Sequence, residues 1–208
     1  MKRLFIFGDS HSNYYNMPAS HPYINFLGYT PQNYPEIICD KLNLELHKFP
    51  NAASDNLTIF QSICDNIHLV NSNDIVIINW TDSYFTRIVN TQKGKWRSIS
   101  YETLEKEIDE VSNSALKEVL DNRKHILYKY EILSFIKIIN LLLKKNKVIH
   151  WSAYVDSLPI KVVKIKDVTD MNDEHYITET TTELAEHFIK DIQTEELHIS
   201  YYNPTTII

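Results

Sequence analysis

Two kinds of apolar patterning alternate along this chain. Short segments rich in branched and aromatic residues occur at 3–7, 74–80 and 148–154, and 44–49 reads as a further strand. Runs of that length and composition make strands buried on both faces, as in a parallel sheet. Between them, apolar residues recur at three- and four-residue intervals over 34–42, 57–70, 102–120, 128–147 and 178–193, the spacing of amphipathic helices. In the last of these, Leu184, Ala185, Phe188, Ile189 and Ile192 fall on one face. Residues 160–168 read as a further, edge-like strand. Residues 11–31, 51–56 and 82–100 read as irregular.

Strands alternating with helices predict an α/β fold, three layers α/β/α, with a mostly parallel central sheet of about five strands. The pattern is continuous over residues 1–208 without repeat or linker, which predicts a single domain. The charged helix at 102–121 reads as a possible insertion, either a lid, a partner-docking element or simply a solvated face. In such a fold ligands bind beyond the carboxyl ends of the strands. The loops after Phe7, Phe49, Trp80 and Tyr154 are therefore where chemistry is expected.

Composition narrows the partners. The chain has 208 residues, 43% of them hydrophobic and 23% charged, with a formal net charge of −6. No basic block is present to bind phosphates, so nucleic acid is not an expected partner. Lys144-Lys145-Asn146-Lys147 reads as the last turn of a helix, where cations suit the dipole. Cys39 and Cys64 lie in helical patterns and are expected to be buried thiols. No His, Cys, Asp or Glu group has metal-ligand spacing, so no metal and no cofactor are expected. Met1 leads straight into the first strand without a signal-peptide pattern, and no segment reads as a membrane span. The expected location is cytoplasmic. Oligomeric state is left open.

The first strand ends in Gly8-Asp9-Ser10. Glycine permits a sharp turn there, which presents Ser10 as a candidate nucleophile; a plain helix-capping turn is the alternative. Serine chemistry needs an imidazole base oriented by an acid. Of nine histidines, His175 stands out, in a polar loop that leads into the last helix, with Asp173 two residues before it. His150 and Trp151 lie in a buried-type strand, where a satisfied core histidine is expected. His187 and His198 read as surface or packing residues.

These motifs resemble those of the SGNH hydrolases, or GDSL-type esterases and lipases. The strand ending in Gly8-Asp9-Ser10 is similar to the family's first motif. His175, followed by Thr180 and then Leu184-Ala185, is similar to its last. The resemblance spans the chain and implies a flavodoxin-like SGNH fold. It implies Ser10 as nucleophile, His175 as base and Asp173 as acid. The family's acid usually lies three residues before the histidine, where this chain has Asn172, a weaker orienter.

The second motif resembles residues 51–56 but lacks glycine, so the backbone N–H of Ala53, Ser54 or Asp55 would have to serve the oxyanion. The third resembles Asn79-Trp80-Thr81-Asp82, with Thr81 at the family's asparagine position and Asn79 as the other donor. The implied oxyanion hole is Ser10, Asp55, Thr81 and Asn79. Asp9, His11, Asn56, Trp80 and Arg87 are expected to line the substrate site. For Trp80, packing at the strand end is the alternative. His11, as Ser10's neighbour on a turn, is expected to point away from the base position.

The expected activity is hydrolysis of an O-acyl ester, most simply O-acetyl, on a small molecule or glycan. Tyr14, Tyr15, Tyr23, Tyr29, Tyr84, Phe85 and Trp96 fall in predicted loops and suit sugars or acyl chains, or simply pack there. The alternatives are an acyl-CoA-dependent O-acyltransferase acting on a glycan, and a degenerate SGNH-fold binding module.

Overall fold

The computed structural model describes residues 2–12, 28–29, 32–50, 54–81, 85–90, 95–100, 128–152, 161–166, 178–194 and 199–207. The elements are β1 (Arg3–Gly8), α1 (Tyr34–Leu42), β2 (Glu45–Pro50), α2 (Asn56–Asn66), β3 (Ile75–Asn79), β4 (Phe85–Asn90), β5 (Lys95–Ser100), α3 (Tyr128–Leu142), β6 (Lys147–Trp151), β7 (Lys161–Lys166), α4 (Thr178–Ile192) and β8 (Ile199–Ile207). Six strands form one sheet in the order β2-β1-β3-β6-β8-β7, and every neighbouring pair is parallel. β4 and β5 pair antiparallel as a separate hairpin.

The central strands are apolar on both faces because both faces are covered. Leu4, Ile6, Ile75, Ile77 and Ile149 point to one side, against Tyr34, Ile37 and Ile38 of α1 and Leu184, Ala185 and Phe188 of α4. Their sequence neighbours Phe5, Phe7, Val76, Ile78 and Val148 point to the other, against Ile59 and Ile63 of α2 and Ile132, Ile136, Ile139 and Leu143 of α3. This is the period-two alternation of a strand feeding two cores. The result is the expected three-layer α/β/α architecture.

α1 begins where the side chain of Asn33 accepts from the Tyr34 N–H and Pro35 occupies the first turn; it ends at Asn43 in the left-handed conformation, φ 51°. α2 begins where the Asp55 carboxylate accepts from the Thr58 N–H. The predicted spans at these helices and at β1, β2, β3, β6 and β7 agree with the structure within a few residues.

The structure departs from the sequence reading in four places. Residues 85–90 and 95–100, read as irregular, form the β4–β5 hairpin, so Phe85 and Trp96 belong to strands. β8 was not expected, because Asn203-Pro204 breaks its strand pattern. Pro204 is tolerated where β8 has run past β6, since Trp151 pairs with Tyr202 and only β7 flanks the residues beyond. Cys64 is exposed while Cys39 is buried, because Ile59 and Ile63 take the inward face of α2. Lys147 does not end its own helix. It opens β6 and donates through Nζ to the Ile192 carbonyl at 2.7 Å and to the Thr194 carbonyl, so its charge caps α4 instead. The expected helix at 102–121 lies outside the described residues.

Candidate active site

The sheet order places β1 between β2 and β3, so the chain leaves β1 toward one edge and returns at β3 to build toward the other. The carboxyl ends of β1 and β3 therefore flank a topological switch point, the position in an open α/β sheet where a crevice forms. Gly8-Asp9-Ser10 and Asn79-Trp80-Thr81 are the two segments that leave the sheet there.

Gly8 is required by contact as well as by conformation. Its φ is +156°, and a Cβ on it would lie 2.6 Å from the Asn79 Cβ and 2.9 Å from Ser12 Oγ. The absent side chain lets the ends of β1 and β3 close on each other. The chain then turns tightly: the Ser12 N–H donates to the Asp9 carbonyl at 3.1 Å, with Ser10 and His11 between them in a 3-10 turn.

Asp9 is buried and organises the turn. Its Oδ1 accepts from the His11 N–H at 2.9 Å and from Asn79 Nδ2 at 2.5 Å. His11 Nδ1 lies 3.4 Å from the same oxygen. Burial opposes the carboxylate's charge, but the field and hydrogen bonds of His11, with help from Thr81, prevail and hold the group below the ordinary carboxylate value. The site thus carries a fixed negative charge beside Ser10 that is tied both to its own turn and to the segment leaving β3.

Around this centre several further polar groups are matched in pairs. Asn56 donates from Nδ2 to the Thr81 carbonyl at 2.9 Å and accepts at Oδ1 from the Thr81 N–H at 3.0 Å, which clamps the loop after β3 to the start of α2. The Asp55 carboxylate accepts from both the N–H and the hydroxyl of Thr58 at 2.6 Å, so its charge is turned into its own helix. Ser12 Oγ lies 2.8 Å from the Tyr34 hydroxyl, which accepts from Trp151 Nε1 at 3.2 Å. Asn33 Nδ2 donates to the His11 carbonyl at 3.1 Å, so the residue that caps α1 also holds the far end of the turn that carries Ser10.

Trp80 is fully buried. Its Nε1 donates to His150 Nδ1 at 3.0 Å, and the two rings stack with centroids 6.1 Å apart. Because Nδ1 accepts, the imidazole proton resides on Nε2, which donates to Asn140 Oδ1 at 2.8 Å. Burial pushes the His150 pKa down to about 3, so the ring is neutral. His150 is thus the satisfied core histidine that the sequence predicts, and the indole of Trp80 is spent on it.

The structure brings Asp9, His11, Asn56, Asn79 and Thr81 together with the backbone of Ser10. The Asn79 amide donates to Asp9 rather than standing open, and the His11 ring is turned to Asp9. Arg87 lies in β4, opposite Ser98 in the hairpin register. His175 and Asp173 lie outside the described residues. Asn33, Ser12, Tyr34 and Asn140 support the site without having been singled out. Asn33 alone carried a local signal, an asparagine directly before a helix with proline in its first turn. A cavity of about 450 Å³ lined by Lys2, Leu42, Leu44, Lys147 and Ile192 lies at the opposite, amino-terminal edge of the sheet and takes no part in this network. Among the described residues no group of histidine, cysteine and acidic side chains could hold a metal ion, and no helix is long and apolar enough to cross a membrane.

No family model matches the chain, and no curated protein sequence matches it. Among solved structures, the chain is similar to an acetyl xylan esterase (Est2A) from the rumen bacterium Butyrivibrio proteoclasticus, at 11% identity and a TM-score of 0.41. The match covers 100% of this chain and 56% of that one, so this chain spans just over half the length of its neighbour.

Proposed function

We propose that this protein is a serine-dependent ester hydrolase of the SGNH type, acting on an O-acyl group, most simply O-acetyl, carried by a small molecule or a carbohydrate. The observation that carries this reading is the placement of Ser10. It follows β1 directly at the switch point, in a turn fixed by Asp9 to the end of β3. A rigid turn at a sheet's ligand-binding edge is what a nucleophile needs to meet an acyl carbon in one geometry.

In this mechanism Ser10 Oγ attacks the acyl carbon while His175 takes the hydroxyl proton and Asp173 orients the imidazole. Negative charge builds on the carbonyl oxygen, where the Ser10 N–H and a backbone N–H of the segment before α2 donate to it. The commitment of the Asn79 amide and of the Thr81 side chain to Asp9 favours backbone donors over side-chain donors in that role. Collapse of the tetrahedral intermediate breaks the ester C–O bond, and His175 protonates the departing alcohol. Water, deprotonated by His175, then hydrolyses the acyl-serine and returns the enzyme.

The test is hydrolysis of p-nitrophenyl acetate by the wild type, Ser10→Ala and His175→Ala, with a phosphonate label located by mass spectrometry. Expected are label on Ser10 and a loss of about a thousandfold or more in kcat for either variant. Asp173→Ala is expected to lower kcat more than Asn172→Ala. Turnover of acetyl-CoA only in the presence of a glycan would make the acceptor a sugar hydroxyl instead of water. A folded protein with neither turnover nor label would overturn the hydrolase and leave a binding module.

A further inference from the structure

Residues 83–101 contain no aspartate or glutamate, in a chain whose net charge is −6, yet they contain Arg87, Lys93, Lys95 and Arg97. Along the chain these cations are never adjacent and form no basic block. The β4–β5 hairpin folds the stretch back on itself and gathers Arg87, Lys95 and Arg97 on one two-stranded ribbon. The register sorts them further. Residues directly opposite in an antiparallel pair share a face, and successive residues alternate. Phe85, Arg87 and Val89 of β4 therefore share one face with Ser100, Ser98 and Trp96 of β5, while Lys95 and Arg97 fall on the other. On the first face Arg87 is opposite Ser98, next to Phe85 along its own strand and diagonal to Trp96. The chain also limits where this ribbon starts. Phe85 follows soon after Thr81, so its backbone lies within about 14 Å of the segment that leaves β3 at the crevice.

We propose that the hairpin face bearing Phe85, Arg87 and Trp96 is a subsite for a carboxylate-bearing sugar unit, so that the ester cleaved at Ser10 is carried by an acidic glycan. This names the substrate class of the ester-hydrolase reading above and rests on it. A guanidinium presents a planar fork of donors that matches a carboxylate and not a lone sugar hydroxyl. Aromatic residues on the same face suit the apolar side of a sugar ring. Ser98 and Ser100 add hydroxyl groups that can donate or accept. With no acidic residue in the stretch to compete, the cations of both faces draw an anion toward the crevice. Nucleic acid is the other polyanion that a basic ribbon can meet. It lacks the O-acyl ester on which the crevice acts, and the net charge of the whole chain opposes it.

The test is titration of the full chain with unacetylated oligogalacturonate and with neutral xylo-oligosaccharide of equal length, which reads binding without catalysis. The uronate oligomer is expected to bind at least about tenfold tighter at low salt. Arg87→Gln is expected to weaken that binding about tenfold or more, and Arg87→Lys, which keeps the charge but not the fork, to recover only part of it. Arg97→Gln, on the opposite face, is expected to cost about threefold or less. Acetate release from the acetylated forms of the two glycans should follow the same order, through KM. Equal affinity for the two oligomers overturns the proposal. So does an Arg97→Gln change as damaging as Arg87→Gln, or oligo-dT bound as tightly as the uronate. Arg87-dependent uronate binding by a protein that does not hydrolyse p-nitrophenyl acetate would strike the esterase reading and not the subsite. Turnover of p-nitrophenyl acetate with no preference for the uronate would do the reverse.

Discussion

Asn79 Nδ2 donates to Asp9 Oδ1 at 2.5 Å, joining residues 70 positions apart at the ends of two adjacent parallel strands. This bond, with the His11 N–H on the same oxygen, fixes where the chain turns into Ser10. Asp9→Asn removes the charge that both donors address. Hydrogen bonds to a charged group contribute about 1.5–3 kcal/mol each, so a loss of at least about 2 kcal/mol in unfolding free energy is expected. Esterase kcat should fall with it. The pH dependence has a definite sign. Asp9 has a folded pKa below its ordinary 3.8, so its contribution is complete above that value and is lost as pH falls through the lower folded one. Urea midpoints of wild type and Asp9→Asn should converge below pH 3.8 and stay apart at neutrality.

Gly8→Ala is expected to be more damaging than an exposed Gly→Ala change. The new Cβ would lie 2.6 Å from the Asn79 Cβ, at a φ that side chains avoid. Relief requires β1 and β3 to separate where Asp9 and Asn79 meet. Overpacking of this kind costs about 1–3 kcal/mol, and the conformational strain adds to it. A lowered melting temperature together with loss of serine labelling is expected; an unchanged melt would mean that the strands yield freely.

Asn56→Leu should separate positioning from folding. It strips the Thr81 N–H and carbonyl of their partner while keeping the side chain's approximate volume. A buried amide left unpaired costs about 1–3 kcal/mol. Because Thr81 follows β3 at the crevice, a fall in kcat larger than any rise in KM is expected. Asn56→Asp, which keeps the acceptor for the Thr81 N–H but loses the donor to its carbonyl, should do less harm in thermal melts when its carboxyl is protonated at low pH.

His150 should make the protein acid-sensitive. Folded, it titrates at about 3, whereas in the unfolded chain it binds a proton near its ordinary 6.5. Between those values the unfolded state holds the extra proton, so stability falls as pH drops, by up to about 1.4 kcal/mol per pH unit. His150→Gln retains an acceptor and a donor but does not titrate. Its denaturation midpoint should vary less between pH 6 and 4 than that of the wild type, read by urea melts at each pH.

The sequence by itself determined most of the elements and the turn that ends the first strand. Periods of two and of three to four are local properties, so β1, β3, α1 and α4 could be read directly, as could the turn at Gly8-Asp9-Ser10. The β4–β5 hairpin and β8 could not, because a strand with polar residues or a proline is stabilised by its neighbour and not by its own pattern. Only the tertiary structure decided which strands lie side by side, and hence that Asn79 faces Asp9, Asn56 faces Thr81 and Trp80 faces His150. Each of those residues reads, alone, as an ordinary polar or aromatic side chain. What selects its partner is the requirement that every polar group buried by the packing of distant segments find a complement, and that requirement exists only once the segments have met.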